Sequence, residues 1–135
     1  MFHLVRVFCL LALAVVAASG CRQPTEATAL KELHKAKSGD LEVVLLSETG
    51  ALAQGANSFA LEFRSPDGSL RDVGTVRATA TMPMAGMAPM FGTLDLRPSD
   101  APGRYLANGE FGMAGTWQIK VEWPGGAATL SGAVR

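Results

Sequence analysis

The stretch from Trp117 to Trp123 alternates without a break: Trp117, Ile119, Val121 and Trp123 are large and apolar, and Gln118, Lys120 and Glu122 between them are polar. Successive side chains of a β-strand point to opposite faces, so this pattern predicts a strand with one buried face and one wet face. A helix would scatter the same apolar residues around its axis. The texture recurs along the chain. Leu41, Val43 and Leu45 share one face, as do Phe59, Leu61 and Phe63. So do Val76, Ala78, Ala80 and Met82, then Leu94 and Leu96, then Tyr105 and Ala107. Pro66–Ser69 (PDGS) and Pro124–Gly126 (PGG) are turn signals, and AATLSGAV completes the chain. About seven short strands with no strongly amphipathic helix predict an all-β domain. Two sheets packed face to face would give an immunoglobulin-like antiparallel sandwich without its disulfide, and a small barrel is the alternative.

Before Asp40 the texture differs. Residues 1–20 have the layout of a secretory signal: a basic start with Arg6, an apolar run from Val7 to Ala17, then small residues. That run is shorter than the roughly 20 residues a membrane-spanning helix needs. Ala18, Ser19 and Gly20 ahead of Cys21 resemble a lipobox, which implies lipidation of Cys21 and a membrane anchor through the N-terminal lipid. Arg22 follows where inner-membrane retention would favour Asp, so the expected location is the periplasmic side of the bacterial envelope, on an outer-membrane lipoprotein. Residues 21–39 are polar and read as a tether, with helix-forming composition in ATALKELHKAK. Residues 40–135 are the predicted sandwich domain.

This organisation narrows the chemistry. The chain has two cysteines and two histidines. Cys9 and His3 leave with the signal and Cys21 carries lipid, so the mature domain has no free thiol and His34 is its single imidazole. No nucleophile–base pair can be assembled from that set, and the acidic residues are dispersed, so the protein is not expected to be an enzyme. Twelve Lys and Arg balance twelve Asp and Glu, which gives no electrostatic footprint for nucleic acid.

What the domain does carry is sulfur. Four of its five methionines lie between Met82 and Met90, in TMPMAGMAPMFG. Pro83 and Pro89 lack backbone donors and Gly86 permits a turn, so the segment is a loop between strands. Met84, Met87 and Met90 recur at every third residue, and such a loop can curl until their sulfurs converge. Thioethers are soft, neutral ligands suited to Cu(I). Met113, just before the Trp117 strand, and Met82 could complete the shell. His34 could add a nitrogen if the tether folds back. Two other uses of the same residues stay open. Methionine fills irregular gaps in cores, and Met82 continues an inward face. Methionine-rich loops also make adaptable protein contacts, so the loop could dock an envelope complex without metal.

An ordered series of motifs resembles the YtkA-like, or FixH-like, family of small exported β-sandwich domains. It comprises Gly55 and Asn57 at a strand start, PDG, the Met82–Met87 loop, then Tyr105 with Phe111, Met113, Gly115 and Trp117. The resemblance implies an immunoglobulin-like sandwich in the bacterial envelope. It also implies proximity to a heavy-metal efflux adaptor or a cytochrome-oxidase assembly protein, with Cu(I) as cargo. The loop is similar too to methionine-rich segments of periplasmic copper carriers. Those often add histidine, which this loop lacks, so Cu(I) is favoured over Cu(II).

Overall fold

A computed structural model describes residues 29–135. The signal, Cys21 and the first part of the tether lie outside the described residues. Eight strands follow one another: β1 Lys31–Ser38, β2 Leu41–Ser47, β3 Gly55–Arg64, β4 Arg77–Met82, β5 Met90–Pro98, β6 Arg104–Phe111, β7 Gly115–Trp123 and β8 Gly126–Val134. Their hydrogen-bonded order is β1-β2-β3-β6-β5-β4-β7-β8, and every neighbouring pair is antiparallel. The order folds over at β5. Met90–Gly92 pair with β4, and Thr93–Pro98 pair with β6, so β5 starts in one layer and ends in the other. The result is an all-β, immunoglobulin-like sandwich.

The alternating residues fill the space between the layers. Val43, Leu45, Phe59, Leu61, Phe63, Tyr105, Ala107, Trp117, Ile119, Val121 and Trp123 all belong to one buried cluster. Leu94 and Leu96 pack against it half-buried, as do Val76 and Ala78. Phe63 meets Tyr105 and Trp123 edge to face at one end, with centroids 5.5 and 5.1 Å apart. Phe111 meets Trp117 the same way at the other, at 5.1 Å. Such contacts add to the hydrophobic gain of burying large rings.

Two expectations need correction. Residues 31–38 are not tether or helix but an eighth strand, β1, paired with β2 from Lys31↔Ser47 to Ser38↔Leu41. Helix propensity is a weak prior that a ladder of tertiary hydrogen bonds overrides. Leu33 and Ala36 supply just enough apolar surface to pack on the core. β1 lies at the end of the strand order, and exposed Lys31, Lys35 and Lys37 suit an edge that must not recruit another chain. The domain therefore begins before Asp40. The other edge, β8, is partly covered: Gln54 N–H donates to the Arg135 carbonyl (2.8 Å) and Arg135 N–H to that of Leu52 (3.0 Å).

The second correction concerns the outer face of β2 and β3. Val44, Leu46 and Ala60 form a small buried cluster there, with Leu30 and Leu106 against it. Glu62, on the face expected to be wet, is only 3% exposed.

Candidate soft-metal site

β4 ends at Met82 and β5 begins at Met90, and these two are register partners that close the mouth of a hairpin. Inside the hairpin, Met87 N–H donates to the Met84 carbonyl (3.3 Å), and Gly86 holds φ +72° at the third position of the turn. Positive φ there is the signature of a type II turn, which explains a glycine at that point. The loop is therefore a short reversal, in keeping with its prolines.

The β6–β7 turn, Gly112–Ala114, lies at the same end of the sandwich and meets the hairpin through sulfur. A Cβ on Gly115 would fall 2.7 Å from Met82 Sδ, and one on Gly112 would fall 3.4 Å from Met90 Sδ. Two glycines thus let two thioethers lie against the backbone on either side of Met113. The turn itself is held by side-chain donors. Trp117 Nε1–H donates to the Met113 carbonyl and Gln54 Nε2–H to that of Gly112, each at 3.0 Å. The indole of Trp117 and the ring of Phe111 form the buried floor beneath.

The five methionines are not equivalent. Met82 is 8% exposed and belongs to the core. Met84, Met90 and Met113 are half-buried and pack against that core. Met87 is 63% exposed. The turn that carries Met113 meets the hairpin through the Met82 and Met90 sulfurs at Gly115 and Gly112. His34 lies elsewhere on β1: a Cβ on Gly132 of β8 would meet its Cδ2 at 3.3 Å, with Leu52 beside it. Among the described residues no three His, Cys, Asp or Glu side chains gather to hold a metal. A cation at the hairpin end would have neutral sulfur donors, the donor type that suits soft monovalent ions.

A second constellation went unseen in the sequence. Buried Glu62 accepts from Arg64 Nε (2.8 Å) on one oxygen and from Arg104 Nε (2.7 Å) on the other, and Arg64 also pairs with Glu32. The Arg64 hydrogen bond, with its charge, holds the Glu32 carboxyl below its usual range. The signal was present: Glu62 and Arg64 share a strand face, and Val44 and Leu46 on the neighbouring strand show that this face is not simply wet. Both oxygens of Glu62 are satisfied within the cluster, which therefore reads as structural.

Fold and hairpin together define a class: a small antiparallel sandwich with thioethers gathered at one end. The family model described as YtkA-like matches residues 35–122, and the chain belongs to that family. The match begins inside β1, consistent with that strand being part of the domain. A search of curated proteins found no match. Among solved structures, the chain is similar to the crystal structure of the Lin-41 filamin domain, at 14% identity and a TM-score of 0.48, over 63% of this chain and 81% of that one.

Proposed function

We propose that this protein is a lipid-anchored carrier of Cu(I), or of a similar soft ion, on the periplasmic side of the bacterial envelope. Cys21 bears the lipid, and the ion is buffered at the methionine end or handed to an efflux or oxidase-assembly partner. No catalysis is involved. The observation that supports this is the meeting of two loops. The sulfurs of Met82 and Met90 reach the turn that carries Met113, while Met84 and Met87 close the hairpin above. Thioethers need no deprotonation, so affinity would change little with pH, unlike that of a thiolate or imidazole site.

The experiment is an anaerobic competition titration of residues 22–135, which hold all eight strands, against a chromophoric Cu(I) chelator. The Met84→Leu/Met87→Leu/Met90→Leu variant runs alongside. Leucine keeps size and apolarity, and such swaps usually cost less than about 1.5 kcal/mol of stability. One-to-one binding that the variant loses is the expected result. A folded wild type that does not compete would refute the proposal.

A second reading has one observation in its favour. Met87 at 63% and Phe91 at 74% exposure stand out as large exposed hydrophobics on this hairpin. A docking module for an envelope complex would use them without any metal, and would tolerate the leucine variant.

A further inference from the structure

Building on the soft-ion reading above, we propose that Met87 is the gate of the site: the one thioether that must leave before the ion passes to an acceptor.

Four of the five thioethers are held by the fold. Met82 is buried and its sulfur abuts Gly115. Met90 is locked in register with Met82, and its sulfur lies by Gly112. Met113 sits in a turn whose carbonyls at 112 and 113 accept from Gln54 and Trp117. Met84 packs on the core. Retracting Met82 or Met90 disturbs a sulfur packed on a glycine at the last rung of the ladder, and retracting Met84 or Met113 lifts a half-buried side chain off the core. Met87 is different. It is 63% exposed, and its N–H donates to Met84 at 3.3 Å, the long end of a hydrogen bond. The Gly86 beside it has open space where a Cβ would stand. Met87 can swing in and out while the sandwich stays closed.

Transfer is then a ligand substitution. The Cu–S bond to Met87 breaks, a Cu–S or Cu–N bond to the acceptor forms, and the ion stays Cu(I) throughout. No proton leaves the protein, because a thioether carries none. The fixed thioethers keep the ion from escaping while the position vacated by Met87 is open.

The gate has a kinetic signature. Residues 22–135, loaded anaerobically with one Cu(I), would be mixed in a stopped-flow instrument with rising concentrations of a chromophoric chelator. With wild type the transfer rate should level off, because departure of Met87 becomes limiting. With Met87→Leu the position is permanently open. The plateau should vanish, and release at low chelator should quicken about tenfold, the equivalent of about 1.4 kcal/mol of lost binding. Met113→Leu should bind more weakly yet keep a plateau. A plateau unchanged in Met87→Leu, or a wild type with none, would overturn the gate while leaving the carrier intact. A wild type that takes up no Cu(I) would remove both. Met87→Leu changes an exposed side chain, so its fold is not at risk.

Discussion

Met82 and Met90 face each other across the mouth of the β4–β5 hairpin, and the sulfur of each rests on a different glycine of the facing connection, Gly115 and Gly112. The methionine end is thus a packed joint between two loops. Its sulfurs are positioned by what the glycines leave out.

Gly115→Ala tests that joint. The new methyl would stand 2.7 Å from Met82 Sδ, at φ +146°, where a side chain is strained. The expected loss is about 1–3 kcal/mol, read as a lower urea midpoint with an unchanged slope. An unaltered midpoint would show that the joint yields freely. Gly86→Ala isolates the backbone effect, because φ is +72° there but nothing lies within 4 Å.

Glu62 ties three strands together. Arg64 is its neighbour on β3, Arg104 comes from β6, and Glu32 on β1 completes the chain through Arg64. Glu62→Gln should cost about 1–3 kcal/mol, because two guanidiniums lose the buried carboxylate that satisfied them. Lys120→Ala, which breaks an exposed pair with Glu122, should cost no more than about 0–1 kcal/mol. Denaturation of both variants decides the comparison, and equal losses would contradict a structural role for Glu62.

Tyr105 is the chain's single tyrosine, so its ionisation can be followed by phenolate absorbance alone. Burial, reinforced by the Asp72 charge, pushes its pKa above the ordinary 10.0, and its hydroxyl donates to the Gly74 carbonyl at 2.6 Å. A raised folded-state value means the unfolded chain ionises first. The stability Tyr105 contributes is therefore complete below pH 10.0 and is lost as pH rises through the folded value. Tyr105→Phe should flatten this alkaline limb. A native titration midpoint at or below 10.0 would contradict the burial.

The sandwich was readable because alternation is a local signal with a global meaning. Trp117 through Trp123 could bury one face only as a strand, and it does. β1 escaped because its residues favour helix and carry few large apolar groups; it is a strand only because β2 offers a ladder. Glu62 escaped because one period-two face was taken as wet, whereas β2 and β3 are covered on both faces at that point. The methionine loop could be placed between strands by its prolines, and Met113 could be suspected. Which sulfurs are fixed and which is free depends on glycine contacts between segments far apart in sequence, and spacing along the chain does not encode these.

Any pull on the chain ahead of Lys31 enters the fold through β1, whose backbone ladder is made with β2 alone. The hairpin would open like a zipper, from the Lys31–Ser47 rung towards Ser38–Leu41, past the irregularity between Glu32 and His34. Peeling these eight residues would release about 26 Å of slack, at about 3.3 Å per residue, before load reached any strand that carries a methionine. The edge strand is in that sense a shock absorber. The domain can reach away from whatever holds the chain ahead of Lys31 while the strands that carry the methionines keep their pairing.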